Sequence, residues 1–224
     1  MTKRWLISLL LTLAPAFGAP LARDDFAADA GRWAVEQMPG GRVTIGGGLL
    51  VIDDAAGCTV WWREKLTAPL RISYEATVVN DGGPHDRVSD LNCFWMAVDP
   101  RSPADLFAAG HGRTGKFEDY DALRTYYVGQ GGNENTTTRF RRYAGGGEKP
   151  LLPGHDRREP AVLLEGNRSY RVTLLVLADG TVRYYRDEVL IFDFRDPAPL
   201  REGWFGFRTV HSRVRIRDFQ VSRP

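Results

Sequence analysis

The residues best suited to chemistry lie between Arg124 and Tyr143, in the run RTYYVGQGGNENTTTRFRRY. Two β-rich stretches flank a polar, glycine-rich connection from Gln130 to Asn135. Side chains alternate faces along a strand, so a core-facing Val128 turns Tyr127 and Gly129 the other way. A core-facing Phe140 does the same for Thr137, Arg139, Arg141 and Tyr143. With Phe94 and Met96 inward, the same parity sends Trp95 outward; with Phe205 and Phe207 inward, it sends Trp204, Gly206 and Arg208 outward. One sheet face would then combine Trp95, Tyr127, Arg139, Arg141, Trp204 and Arg208. Aromatic rings offer flat apolar surfaces to the C–H faces of sugars, and arginine forks pair with carboxylates. Such a face suits a glycan, above all an acidic one. The plainer alternative is a solvated arginine ladder paired with acids, and tryptophans in the core.

On an acidic sugar, that set of residues points to β-elimination. The reaction needs a cation to neutralise the uronate, a base for the C5 proton and an acid for the leaving oxygen. Arg139, Arg141 and Arg208 supply the cations, Tyr127 or His85 the base, and Tyr126 or Tyr127 the acid. A tyrosine pKa near 10 is unsuited to a base at neutral pH, so adjacent arginines would have to favour the phenolate. Trp95, Trp204, Arg141, Asn133, Asn135 and His211 are the expected ligand contacts. Asn133 and Asn135, with a neighbouring carbonyl, could also hold a structural calcium ion or simply form turns; no other cofactor is expected. The four histidines, 85, 111, 155 and 211, lie in or near loops without the spacing of a metal pair. A non-catalytic, lectin-like carbohydrate-binding domain using Trp95, Trp204 and the arginines is the rival reading. An envelope protein with an ordinary polar surface is a third.

Other chemistries fit less well. The acids cluster at Glu118, Asp119 and Asp121 and at Asp187, Glu188 and Asp193. Neither cluster follows the Glu-x-Asp-x-x-Glu strand pattern of laminarinase-like hydrolases, which weakens hydrolysis by a retaining carboxylate pair. No Gly-x-Ser-x-Gly elbow is present. The Gly-rich stretch lacks the Gly-Lys-Ser/Thr ending of a phosphate loop.

The elements that must position these residues are strands. Leu70, Ile72, Tyr74, Ala76 and Val78 alternate with Arg71, Ser73, Glu75 and Thr77, the period of a sheet with one buried face. Similar runs occur at 42–52, 57–62, 91–98, 124–130, 136–143, 168–178, 181–186, 188–194, 203–210 and 213–222. Asp179-Gly180 reads as a two-residue type I′ hairpin, and Arg186-Asp187-Glu188 as a weaker reversal. Short helical turns are expected at Ser102–Ala109 and Asp119–Leu123. The stretches Asn80–Asp90 and Ala144–Glu159 read as long loops over one end or face. Leu70, Ile72, Tyr74, Val172, Leu174, Val176, Val214 and Ile216 are the expected core of an all-β sandwich.

At the start of the chain, Lys3 and Arg4 precede an apolar run from Trp5 to Leu13 and small residues at Ala14, Ala16, Gly18 and Ala19, the pattern of an export signal. The expected organisation is a signal peptide over 1–19 and one domain over 20–224, periplasmic or extracellular, with no membrane attachment after cleavage. Cleavage lowers the formal charge from +2 to 0 by removing two cations, which argues against nucleic acid as a partner and leaves an oligo- or polysaccharide. In an oxidising compartment Cys58 and Cys93 are either a disulfide or two buried thiols.

Three segments carry a family resemblance: DLNCFWMAVDP (90–100), TYYVGQGGNENTTTRFRRY (125–143) and GWFGFRTVHSRVRIRDFQV (203–221). They resemble an uncharacterised group of secreted bacterial domains in the concanavalin A-like lectin and glucanase superfamily, related to keto-disaccharide hydrolase and polysaccharide-lyase-like jelly rolls. The resemblance implies a jelly roll of two curved antiparallel sheets with ligand on the concave face. It implies sugars as the ligand class and leaves enzyme against binder open.

Overall fold

The computed structural model describes residues 20–108 and 111–224. The expected signal segment therefore lies outside the described residues. In chain order the strands are β1 (Ala22–Asp24), β2 (Trp33–Gln37), β3 (Arg42–Gly46), β4 (Leu49–Asp53), β5 (Cys58–Trp62), β6 (Leu66–Thr67), β7 (Leu70–Val78) and β8 (Leu91–Val98). They continue as β9 (Arg124–Gly131), β10 (Thr137–Ala144), β11 (Asp156–Arg157), β12 (Ser169–Val176), β13 (Thr181–Arg186), β14 (Val189–Arg195), β15 (Glu202–Thr209) and β16 (Arg213–Ser222). The first sheet runs β14-β13-β12-β7-β16-β4-β3, with β1 added on β16; the second runs β11-β10-β9-β8-β15-β5-β2, with β6 added on β15. Every pairing between strands is antiparallel. This is the jelly-roll sandwich expected from the sequence. No described helix is long and apolar enough to cross a membrane.

The period-2 pattern places the core. Leu70, Ile72, Tyr74, Val172, Leu174, Val176, Val214 and Ile216 are all buried between the sheets. From the second sheet, Val60, Trp62, Cys93, Tyr126, Val128, Phe140, Phe205 and Phe207 meet them. Burying such side chains contributes about 1.5–3 kcal/mol each, so one core of this size fixes the inner face of every strand. Both cysteines are free, buried thiols. Burial pushes the Cys93 thiol up to about 12.

Four details depart from the sequence reading. The run 42–52 is two strands, β3 and β4, reversing at Gly47 and Gly48, whose positive φ suits the turn. Asp179-Gly180 is not a type I′ pair: only Gly180 has positive φ, and the Gly180 amide donates to the Leu177 carbonyl at 3.1 Å. The two-residue left-handed turn falls at Asp187-Glu188 instead, with φ of 51° and 65° and Arg186 paired with Val189. The strands β1, β6 and β11, of two or three residues, carry too few alternating residues to stand out in the sequence, and the five-residue β2 also lies outside the expected runs.

A second apolar cluster forms on the outer face of the second sheet. Trp61, Phe94, Tyr127, Tyr143 and Trp204 are covered there by Leu106, Tyr120 and Leu123 from the 99–123 segment, with Phe107 and Phe117 packed against them. The segment holds hydrogen-bonded turns at 102–108 and a short 3-10 turn at Phe117–Tyr120. It is tied down by charge. Arg113, with a side chain 2% exposed, donates to Glu36 at 3.0 Å and to Asp99 at 3.3 Å. Glu36 also accepts from Trp61 Nε1 at 2.8 Å and Tyr120 Oη at 2.9 Å.

Candidate functional site

The second sheet's registers line up one row of side chains across seven strands. Glu36 pairs with Thr59, Thr59 with Arg208, Arg208 with Asn92, Asn92 with Gly129, Gly129 with Arg139, and Arg139 with Asp156. The next row reads Ala34, Trp61, Gly206, Phe94, Tyr127 and Arg141. Both rows face away from the inter-sheet core, as alternation requires. In each, a glycine lies under an aromatic ring: a Cβ on Gly129 would meet Tyr127, and one on Gly206 would meet Trp61.

The part of this face left uncovered by the 99–123 segment is a cavity of about 470 Å³, within the usual range for small-ligand sites. Asn92, Tyr127, Gly129, Thr137, Arg139 and Arg141 line it from the strands; Arg87, Asp90, Phe117 and Val210 line it from the loops, and Gly132, Asn133 and Glu134, in the turn after β9, form the rim. The rim turn has three successive left-handed residues, Asn133, Glu134 and Asn135. Such residues cost about 1–2 kcal/mol each, so the turn needs support. Asn135 supplies it, donating to the Leu164 carbonyl and accepting from the Leu164 amide, both at 2.8 Å. Asn133 Nδ2 donates to Thr137 Oγ1 at 3.0 Å.

The charges in the cavity are unequally matched. Arg139 forms a fork on Asp156 at 2.9 and 3.1 Å, which holds the Asp156 carboxyl below its ordinary range. Arg87 donates to Asp90 at 2.7 Å, and Asp90 also accepts from Ser89 and Asn92. Arg141 donates to the Lys149 carbonyl, and among the described residues no carboxylate pairs with it. Glu134 is exposed at the rim. Asn92 is 3% exposed, and its Oδ1 is buried without a hydrogen-bond partner among the described residues. Burial raises the Tyr127 phenol well above its ordinary pKa, with Tyr143 and Asp90 adding to the shift and Arg208 only partly opposing it.

Tyr127, Arg139, Arg141 and Asn133 are thus brought to one cavity, and Arg208 and Trp204 to the same sheet face. Arg208 and Trp204 are covered, however: Arg208 by Phe117 and Tyr120, and Trp204 by Phe107, with its Nε1 donating to the Arg63 carbonyl at 3.1 Å. Trp95 is a correction. It lies in the inter-sheet core against Tyr126 and Phe140, and Phe94 takes the outer face in its place. The cause is a bulge at Met96, φ 53°, which puts Cys93, Trp95 and Met96 all inward and breaks the parity counted from Met96.

Tyr126 is also a core residue. Its Oη donates to Asp196 Oδ2 at 2.6 Å and accepts from the Leu200 amide, so it is not available as a site acid. His85 and His211 lie outside the cavity lining: His85 Nδ1 meets Asp53 Oδ1 at 2.7 Å, and His211 Nδ1 meets the Ala55 carbonyl at 2.8 Å. Asn135 works as the brace of the rim turn. Among the described residues, no group of three His, Cys, Asp or Glu side chains is placed to hold a metal ion. Sequence reasoning missed Asn92, Arg87, Asp90, Phe117 and Glu134. Counting parity from Leu91 and Cys93, ahead of the bulge, would have found Asn92.

Solved structures share the architecture. A Bacillus subtilis protein described as having a galectin-like fold is similar over 92% of this chain and 97% of its own, at 20% identity and a TM-score of 0.71. The carbohydrate-binding module CBM66 of Bacillus subtilis is similar over 85% of this chain and 95% of its own, at 13% identity and a TM-score of 0.56. An endo-β-1,3-glucanase of Pyrococcus furiosus is similar over 91% and 94%, at 9% identity and a TM-score of 0.58. At these identities the likeness is one of fold, and it bears out the concanavalin A-like jelly roll that the sequence resembles. No curated protein sequence matches the chain. Residues 52–219, which include the three strands that carry the cavity, β8, β9 and β10, match the family described as "Domain of unknown function (DUF6250)", and the chain belongs to that family.

Proposed function

We propose that the cavity on the outer face of the second sheet binds an acidic sugar within a glycan. The observation that carries this is Arg141: a cavity guanidinium with no carboxylate partner among the described residues, directly across the β9–β10 ladder from Tyr127. A sugar carboxylate would complete the Arg141 fork, while the Tyr127 and Phe117 rings accept the apolar face of the pyranose. The fold neighbours support the ligand class, since their names describe a carbohydrate-binding module and a glucanase. On the export-signal reading of residues 1–19, binding takes place in the periplasm or outside the cell.

A second reading, β-elimination, rests on Tyr127 and Glu134. Tyr127 stays protonated, which suits the acid and rules it out as the base in the free protein. The exposed Glu134 carboxylate at the rim then takes the base role expected of Tyr127 or His85. It would remove the C5 proton; the electron pair would form the C4–C5 double bond; the leaving oxygen would take the Tyr127 proton. A panel of uronate-containing and neutral polysaccharides, read together by calorimetry and by the ultraviolet absorbance of an unsaturated uronate, tests both. Binding of acidic members without new absorbance is the expected result. New absorbance makes the protein a lyase, and preference for neutral members overturns the acidic-sugar reading.

A further inference from the structure

Arg208 is 2% exposed, and only part of its guanidinium is satisfied. Nη1 donates to Thr59 Oγ1 at 3.2 Å and to the Gly115 carbonyl, while Nε and Nη2 are buried without a hydrogen-bond partner among the described residues. Among the described residues no carboxylate pairs with it. A buried guanidinium left in this state is costly, because its desolvation is not repaid by hydrogen bonds to Nε and Nη2. Directly across the β8–β15 ladder stands Asn92, whose Oδ1 is likewise buried and unpartnered and which lines the cavity. Two open donors on β15 and one open acceptor on β8 therefore belong to register partners on neighbouring strands, and of the two residues Asn92 borders the cavity.

Two rings cover the Arg208 guanidinium, Tyr120 at 5.1 Å and Phe117, and of these Phe117 is the one that lines the cavity. Phe117 stands 5.3 Å from the Arg208 guanidinium carbon. Its other neighbours are Tyr127, at 5.7 Å between centroids, and the Lys149 ammonium, at 5.4 Å. The ring thus gives Arg208 a cation–π contact, which leaves the Nε and Nη2 hydrogens unbonded where a charge-assisted fork would satisfy both. We propose that Phe117 is a displaceable partition and that the space behind it is a second anion subsite. There a ligand carboxylate accepts from the Arg208 Nε and Nη2 fork while a ligand hydroxyl donates to Asn92 Oδ1. Arg208 on β15 and Arg141 on β10 are three strand spacings apart, about 14 Å between backbones. One sugar ring does not span both, so the ligand is an oligosaccharide with acidic groups on more than one residue. This deepens the cavity reading and rests on it.

The test follows the arginine Nε–H signals of the ¹⁵N-labelled protein by NMR, with trigalacturonate as the acidic probe and its carboxyl-reduced counterpart as the neutral one. Triple-resonance spectra of the doubly ¹³C,¹⁵N-labelled wild type assign the two signals without recourse to a variant. The acidic probe should shift the Arg208 and Arg141 signals, and the neutral probe should shift neither. Arg208→Lys, which keeps the charge and loses the fork, should bind trigalacturonate about tenfold more weakly. Phe117→Ala should associate several-fold faster. A shift at Arg141 without one at Arg208 overturns the subsite and leaves the cavity reading standing; no shift at either overturns both. Should Arg208→Lys fail to fold, the wild-type signals and the Phe117→Ala rates still decide the matter, and an unchanged association rate counts against the partition.

Discussion

The Tyr127 ring lies where a side chain on Gly129 would stand: a Cβ at Gly129 would be 3.0 Å from Tyr127 Oη and 3.1 Å from Cε1. The missing side chain lets the phenol lie along its own strand and form the cavity floor beside Arg139. Gly206 stands in the same relation to Trp61, with a Cβ only 2.5 Å from Trp61 Cε3. The two differ in what can yield. Tyr127 borders open space, whereas Trp61 is fully buried between Phe94 and Tyr120, with its Nε1 bonded to Glu36.

Gly129→Ala should therefore tilt Tyr127 into the cavity, weakening glycan binding several-fold while costing no more than about 1 kcal/mol of stability. Gly206→Ala should cost about 3 kcal/mol, since neither Trp61 nor the adjoining backbone can withdraw. Urea titrations of both variants, with calorimetric binding on the first, check the contrast. Equal stability losses would mean that the two rings are equally free to move.

Arg113 joins the segment over the sheet to the sheet itself, bridging Glu36 on β2 and a fully buried Asp99 just after β8. Arg113→Met keeps the volume of the side chain and strands both carboxylates. Breaking a buried pair in this way typically costs 3–5 kcal/mol. Because Asp99 keeps Arg101 and Glu36 keeps Trp61 and Tyr120, the loss should fall near the lower figure, about 3 kcal/mol. Near-ultraviolet circular dichroism should show the Trp61 and Tyr120 environment loosening before the global transition. A stability loss under about 1 kcal/mol would mean that the aromatic contacts hold the segment without the ion pairs.

His155 gives the fold a pH dependence of known sign. Its ring sits edge-on to Phe140, Phe192 and Phe194 at centroid distances of 5.0, 5.9 and 5.6 Å, and burial lowers its pKa below the ordinary value near 6.5. The unfolded chain therefore binds the proton first as pH falls. The stability that the neutral ring contributes is fully present above pH 6.5 and is lost as pH falls through the lower folded pKa. The depressed carboxyls of Asp86, Asp99 and Asp156 act in a separate window, below their ordinary value of 3.8. Between about pH 6.5 and 5, wild-type stability should decline and His155→Leu should follow a flatter course. Parallel slopes would place the dependence on another group.

Much of the architecture was legible because burial on one face imposes a strict period of 2, and Leu70 to Val78 or Val172 to Val176 cannot satisfy it any other way. The same logic correctly turned Tyr127, Arg139, Arg141, Trp204 and Arg208 outward, since the strands between each of them and its core neighbour are regular. It failed for Trp95, where the Met96 bulge adds a residue that no local composition marks. The hairpin turns misled for a related reason. Asp179-Gly180 has the better type I′ chemistry, yet the register between β12 and β13 requires a longer turn, while the register between β13 and β14 forces Asp187 and Glu188 into left-handed backbone. Phe117 over Arg208, and Arg113 between Glu36 and Asp99, unite residues far apart in the chain. Spacing holds no trace of such contacts.

Trp95 and Arg141 separate folding from binding most sharply, because both belonged to one expected face and the fold puts them on opposite sides of the second sheet. Trp95 is fully buried among Tyr126 and Phe140, and its indole nitrogen has no hydrogen-bond partner among the described residues. Trp95→Ala should cost about 3–5 kcal/mol through the cavity it leaves, yet the variant, if assayed below its unfolding transition, should bind glycan as the wild type does. Arg141 lines the cavity, and among the described residues its one protein hydrogen bond runs to the Lys149 carbonyl. Arg141→Ala should leave stability within about 0.5 kcal/mol of wild type. Its affinity for a uronate oligosaccharide should fall about tenfold or more, with little change for the carboxyl-reduced form. Denaturant titration and calorimetry on the two variants measure all four quantities. Loss of binding in Trp95→Ala with full binding in Arg141→Ala would move the ligand off this face of the sheet altogether.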